Sequence, residues 1–427
     1  MTETRATRRQ FIKSAAAGAA ALSAFPRPSL SQGAGPPVVV IGGGFGGASC
    51  ARALRKADPR LAVTLVEARA TYTALPHSNA VIGSLVELAH QQFGYDRIKS
   101  AGVNVALSAA TAIDPAKRTV TLANGTTLNY QRLVVSPGID FRSGAIQGYE
   151  QAAMAAMPPA YNDGAQIALL RKQLEAMADG GTVVISSPVN PARCPPAPYE
   201  RASLIAHYLK SRKPKSKVIV LDAKESFTMQ KLFEAAWQEL YPGMIEWVGL
   251  SNGGVLTSVD AATKTLSTDF DSYKAAVASI IPPQKAGRVA ELAGVADRTG
   301  WCPVDPITFL SKLQPNIHVI GDAAIAGAMP RSASAAHSQA RICAAAIVAL
   351  LAGRTPAAPT LTSSCFSLLA PDYAISQRGT YRPVDDQYTE ADPGIIVSPL
   401  SAARATRSAE AKEAAAWYAD ITAGVFG

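Results

Sequence analysis

Gly42, Gly44 and Gly47 form a G-x-G-x-x-G pattern. It follows the apolar run Val38-Val39-Val40-Ile41 and opens a helical stretch reaching about Ala57. A second apolar run, Leu61 to Val66, closes on Glu67, twenty residues after the last glycine. This is the chemistry of dinucleotide binding. The first glycine permits a tight turn, the second lets backbone approach a pyrophosphate, and the third lets helix and strand pack closely. The helix N-terminus faces the phosphates, and Glu67 can accept hydrogen bonds from a ribose. The second chemical candidate is sulfur. Five cysteines in 427 residues are too few for a disulfide scaffold. Cys194 stands out in Arg193-Cys194-Pro195-Pro196-Ala197-Pro198-Tyr199-Glu200-Arg201, on backbone stiffened by three prolines. Cys365 follows 171 residues later. Cys50 and Cys343 fall on apparent helices and read as core, as does Cys302. No metal site is expected, and no Cys-x-x-Cys-His motif offers a haem attachment in this chain.

The elements that must carry these residues read as α/β. Val103 to Leu128 is expected as a small β-meander turning at Asn124-Gly125. Leu133 to Gly138 is a further apolar strand ending in glycine. Gly181 to Ser186 begins a second α/β unit, with Leu204 to Lys210 on its helix and Lys217 to Leu221, closed by Asp222, as its next strand. Its first turn, Ser186-Ser187-Pro188-Val189-Asn190-Pro191, has no glycine fingerprint. Proline is rigid and lacks an amide hydrogen, so this turn cannot cradle a pyrophosphate in the usual way. Ile317 to Asp322 is another strand ending in an acid, ahead of an Ala-rich helix to Leu351. Asp322 is also a favourable helix N-cap there.

The expected fold is tandem Rossmann-like domains of the glutathione-reductase-like type with a small C-terminal α+β domain. Residues 36–147 and 287–355 form a discontinuous dinucleotide domain. Residues 148–286 form the second Rossmann-like unit, and residues 356–427 the terminal domain. Residues 1–31 read as an export signal, with Arg8-Arg9 in a twin-arginine pattern ahead of an Ala-rich stretch from Ser14 to Phe25. That predicts a periplasmic protein exported folded, where disulfides are allowed. The whole chain has a formal charge of +9. Without residues 1–31, 36 basic and 31 acidic residues leave +5. This remainder requires neither nucleic acid nor lipid to explain it. The longest apolar run, Ile342 to Ala352, has eleven residues, short of the roughly 17–25 of a membrane span.

Val38 to Glu67, Leu133 to Gly138 and Ile317 to Asp322 together resemble the two-dinucleotide-domain flavoproteins. The resemblance implies FAD, with Asp322 on its ribityl chain and Gly138 marking the crossing between domains. The departure in the second unit implies no NAD(P)H. Cys194-Pro195-Pro196-Ala197-Pro198-Tyr199-Glu200-Arg201-Ala202, Ile281-Pro282-Pro283-Gln284, Gly300-Trp301-Cys302-Pro303-Val304-Asp305 and Trp417-Tyr418 to Phe426-Gly427 resemble the flavoprotein subunit of flavocytochrome c sulfide dehydrogenase. By that resemblance, Cys194 and Cys365 form a redox-active disulfide beside the flavin, and Glu200 is an acid near it. The implied activity is sulfide:cytochrome c oxidoreduction. Hydrosulfide opens the disulfide by thiol exchange, and electrons pass through FAD to a separate c-type cytochrome subunit in a heterodimer.

One position departs from the family. Aligning Ser78-Asn79-Ala80-Val81-Ile82-Gly83 places Leu75 where the family has its flavin-linking cysteine. Leucine forms no thioether, so non-covalent FAD is expected. His77 and His337 are candidate flavin-side groups that also read as structural histidines, and Trp417 is expected to pack within the terminal domain. A related alternative is sulfide:quinone oxidoreduction, which needs a hydrophobic quinone-facing surface and a membrane-binding segment. The final seventy residues offer no sign of either. Another is a flavin-bearing protein that activates other sulfur-oxidising proteins.

Overall fold

The computed structural model describes residues 35–427. The proposed export signal, residues 1–31, lies outside the described residues. The first sheet has five parallel strands in the order Ile317–Val319, Arg132–Val135, Pro37–Ile41, Ala62–Glu67 and Asn104–Leu107. Val38, Val39, Val40, Leu133 and Val134 are fully buried, because both faces of a parallel sheet are covered. On one side lie the helices Phe45–Ala57 and Ala333–Leu351. Ala48, Ala51, Ala336, Ala340 and Ala344 are small enough to let helices and sheet approach closely.

Two expectations are corrected here. Asn104–Leu107 is no part of the meander: it pairs in parallel with Thr64 to Glu67. The short helix Asp96–Ser100 precedes it and returns the chain to the sheet edge in the parallel sense. The meander proper is Ala110–Asp114, Thr119–Leu122 and Thr127–Asn129. Asp322, in turn, is no cap of the Ala-rich helix. That helix starts at Ala333, and the Ser332 hydroxyl caps it by accepting from the Ala335 amide at 3.1 Å. Asp322 sits upstream in a single turn, Gly321–Ala323.

The chain leaves the first unit along Ile139–Phe141 and returns along Gln284–Ala286, and these two segments pair antiparallel. Between them stands a four-stranded parallel sheet ordered Ile245–Val248, Lys217–Asp222, Thr182–Ser187, Val277–Ile280. The terminal unit is an antiparallel sheet of Leu361–Ala370, Tyr373–Val384 and Gln387–Val397, followed by the helix Arg404–Phe426. That helix docks back on the first unit, where Phe426 meets Phe93 at 5.0 Å, Tyr72 at 5.2 Å and Phe45 at 5.5 Å between ring centroids.

Among the described residues, Ala333–Leu351 is the one helix long and apolar enough to cross a membrane. Its buried face packs into the core with the first helix, as a core helix does. The terminal sheet also corrects an expectation. Ile395, Ile396, Val397 and Leu400 are exposed, so an apolar row does exist in the last seventy residues. Its edge-strand position was not visible in the sequence.

Candidate active site

A cleft of about 460 Å³ runs between the three units. Its first wall is the glycine turn. Gly42 has φ +103°, and a β-carbon there would lie 2.2 Å from the Ser136 carbonyl oxygen. A β-carbon on Gly47 would lie 1.9 Å from the Gly42 carbonyl oxygen. Neither position tolerates a side chain. Gly44 faces the Tyr72 ring. Glu67 ends its strand and accepts from the Gly43 amide at 2.7 Å and the Arg69 amide at 3.1 Å. Both bonds hold its carboxylate in the cleft wall.

Asp322 and Gly138 line the same cleft. Asp322 Oδ1 is buried with no hydrogen-bond partner. Its Oδ2 lies 3.9 Å from an Arg193 guanidinium nitrogen. Burial raises its carboxyl above the ordinary range, against the pull of Arg193 and Arg331. An orphaned buried acceptor is costly, and a ligand hydroxyl donating to it would remove the cost. A glycine turn, a strand-end acid and this acceptor therefore fit an extended dinucleotide carrying a polyol chain.

The sulfur centre lies in the same cleft. Cys194 precedes the helix Ala197–Arg212 and adopts the left-handed φ of +49°, a costly conformation for a residue with a side chain. Its amide donates to the Arg331 carbonyl at 2.7 Å. The Tyr161 hydroxyl donates to the carbonyls of Arg193 at 2.6 Å and Cys194 at 3.3 Å. Cys365 stands mid-strand in Leu361–Ala370, opposite Gln377. The two cysteines meet: both are free thiols in this structure, and their side chains share a hydrogen bond. That bond, burial and the Glu200 charge all raise the Cys365 thiol well above its ordinary value.

Glu200, only 9% exposed, lies beside this pair. Its Oε1 accepts from the Leu368 amide at 2.8 Å and its Oε2 from the Asn79 side-chain amide at 2.7 Å. Burial outweighs these bonds and pushes its carboxyl up to about 7. The next residue, Arg201, is 1% exposed and satisfied by Asn79 Oδ1, Ser279 and the carbonyls of Pro159 and Ala160.

The other expected residues separate cleanly. Leu75 and His77 line the cleft. The His77 ring stacks on Tyr418 at 4.7 Å, and burial lowers its pKa. His337 instead bonds Ser49 at 2.8 Å between the two core helices. Cys50 and Cys343 are buried there in contact with each other. Burial pushes the Cys302 thiol up to about 12. Trp417 does more than pack within the terminal unit: it lines the cleft, tilted against Phe366 at 5.8 Å. Asn79, Tyr161 and Arg201 are cleft residues assigned no role from sequence.

The carboxyl end of the second sheet is filled by its own side chains. Asp222, wholly buried, accepts from Tyr199 at 2.5 Å, Trp247 at 2.9 Å and Lys224 at 2.5 Å. Lys224 also reaches Ser187 and the Pro188 carbonyl, both at 2.8 Å.

Comparison with known proteins agrees with this geometry. Residues 167–282 match the family "Sulfide dehydrogenase [flavocytochrome c] flavoprotein chain, central". Residues 357–426 match "Flavocytochrome c sulphide dehydrogenase, flavin-binding". A sulfide dehydrogenase (flavocytochrome c) flavoprotein chain from Chlorobaculum thiosulfatiphilum is 61% identical over 44 residues, 10% of this chain and 92% of that one. The chain belongs to the flavocytochrome c sulfide dehydrogenase flavoprotein family. Residues 36–173 also match the pyridine nucleotide-disulphide oxidoreductases. A sulfide-quinone reductase from Aquifex aeolicus is 29% identical over 192 residues, 42% of this chain and 41% of that one. The solved sulfide:quinone oxidoreductase of Aquifex aeolicus shares the fold, with a TM-score of 0.73 at 17% identity, covering 92% of each chain. A NAD-dependent persulfide reductase from A. fulgidus has a TM-score of 0.59 at 18% identity, covering 91% of this chain and 77% of that one. This member of the family is thus an FAD-binding flavoprotein whose chemistry is flavin-dependent sulfide oxidation. The glycine turn, Glu67 and Asp322 are the cleft residues that would hold the FAD.

Proposed function

We propose that this chain is a periplasmic sulfide dehydrogenase flavoprotein. In this reading it oxidises hydrosulfide at Cys194 and Cys365 and passes electrons through non-covalently held FAD to a c-type cytochrome subunit. The observation that carries the reading is the contact between the two cysteines in the cleft that holds the glycine turn and Asp322. In the oxidised pair, the sulfur of hydrosulfide bonds to one cysteine sulfur as the S–S bond breaks. One cysteine becomes a persulfide and the other leaves as a thiolate. The Glu200 carboxylate, poised at about 7, takes the persulfide proton. When bound, FAD supplies the two-electron acceptor that can release electrons singly to a haem.

Leu75 in the cleft wall supports non-covalent binding, since it offers no sulfur to the flavin. The self-filled crevice at Asp222 supports the absence of NAD(P)H chemistry. The chain has no haem-attachment motif, so the cytochrome is a separate subunit, as the name of the Chlorobaculum relative suggests. Arg8-Arg9 and the apolar stretch after it support export. A second reading, transfer to quinone, draws on the exposed row Ile395, Ile396 and Val397.

Anaerobic addition of sulfide, with an acceptor supplied afterwards, separates these readings. Bleaching of the flavin by sulfide, then reduction of added c-type cytochrome, is expected. Recovery only with a soluble quinone would favour the second reading, and bleaching by NADH alone would overturn both. Acid precipitation should leave a colourless pellet, whereas a yellow one would mean covalent flavin.

A further inference from the structure

Glu200 does not meet the cation next to it in sequence. Asn79, in the short helix Ser78–Ile82, lies between the two side chains. Arg201 can only donate, so its Nε takes Asn79 Oδ1, at 3.1 Å. That fixes the amide: Asn79 Nδ2 must face the other way, where it donates to Glu200 Oε2 at 2.7 Å and to the Ala197 carbonyl at 3.1 Å. Asn79 is itself buried. The other Glu200 oxygen holds the Leu368 amide, three residues beyond Cys365 on the same strand. One carboxyl thus ties the helix that follows Cys194 to the strand that carries Cys365.

We infer that Asn79 is the positioning residue for Glu200, holding its carboxyl between the two cysteine-bearing segments through a neutral donor. The inference rests on the proposed proton transfer by Glu200. A direct Arg201–Glu200 ion pair would favour the carboxylate strongly. A neutral amide passes on a hydrogen bond without a full charge, which leaves the carboxyl able to take and return a proton. The ionisable groups around Glu200 are Arg201 on its own helix and Cys365 on the packed strand. Cys194 and His77 also line the cleft. None of these is replaced in the test.

The test uses FAD-loaded wild type, Asn79→Ala and Asn79→Asp. The first variant removes the donated hydrogen bond, and the second sets a like charge beside Glu200. Arg201 stays anchored by Ser279 and the carbonyls of Pro159 and Ala160, so both changes disfavour the Glu200 carboxylate and its midpoint must rise. Two readouts follow it. One is the carboxylic C=O infrared band, titrated with pH and assigned by its loss in Glu200→Gln. The other is the limiting rate of flavin bleaching at saturating sulfide, which reports groups in the complex, not free sulfide. The infrared midpoint should rise by about one pH unit in Asn79→Ala, a tenfold change in the proton equilibrium. The bleaching rate at pH 7 should then fall about fivefold, with recovery at higher pH. A merely structural role would change melting temperature or FAD content and leave both midpoints in place. Unmoved midpoints in either folded, FAD-loaded variant would overturn the inference. A wild type whose infrared midpoint depends on Asn79 but whose flavin sulfide does not bleach would instead overturn the functional reading.

Discussion

At the scale of single residues, the cofactor end of the cleft depends on absent side chains. Gly47→Ala would drive a methyl group into the Gly42 carbonyl 1.9 Å away. The purified variant should be largely colourless, measured as flavin absorbance against protein absorbance; full occupancy would contradict the role given to the turn. The sulfur end depends on burial. Glu200 sits at about 7 against an ordinary 4.5, so the folded state binds a proton more tightly than the unfolded chain. Stability must then fall as pH rises from about 4.5 to about 7, by on the order of 3 kcal/mol from this group alone. Glu200→Gln removes that titration. Urea unfolding at pH 5 and pH 8 should show a smaller loss in the variant than in wild type, and equal losses would refute the burial argument.

At the scale of elements, local patterns were legible and long-range meetings were not. The strand–turn–helix–strand from Pro37 to Glu67 is readable because the glycines, apolar runs and closing acid lie within one stretch. Asn104–Leu107 reads as part of the meander because a four-residue strand has the same pattern in a meander and at a parallel edge. Asn79 and Glu200 are 121 positions apart, and nothing local marks either as the other's partner. Trp417 escaped for a related reason: its helix presents both a packing face and a cleft face. The same helix carries Phe426 into the ring cluster with Phe45, Tyr72 and Phe93 beside the glycine turn. Phe426→Ala should cost about 3–5 kcal/mol of stability. It should also speed FAD loss, since Tyr72 lines the cleft and faces Gly44. Calorimetry and the rise in free-flavin fluorescence measure the two effects; unchanged values would mean that the helix does not brace the cofactor site.

At the scale of the whole molecule, the three units contribute unequal parts to one cleft. The first supplies the dinucleotide turn and Asp322, the second supplies Cys194 and Glu200, and the third supplies Cys365 and Trp417. The second unit keeps a Rossmann-like sheet while its carboxyl end is closed by Tyr199, Asp222, Lys224 and Trp247. Neither NADH nor NADPH should therefore reduce the flavin, as followed at its visible band under anaerobic conditions; rapid reduction by either would show that this crevice opens. The fold class was readable from two α/β units and their unequal turns, whereas the convergence of three units on two sulfurs needed the tertiary structure. The central claim is that sulfide reaches the flavin through those sulfurs. The most direct measurement is stopped-flow bleaching of FAD-loaded wild type and Cys365→Ser on mixing with sulfide. The account predicts fast bleaching in wild type and none on the same timescale in the variant, with FAD content equal. Bleaching of Cys365→Ser at the wild-type rate would contradict it.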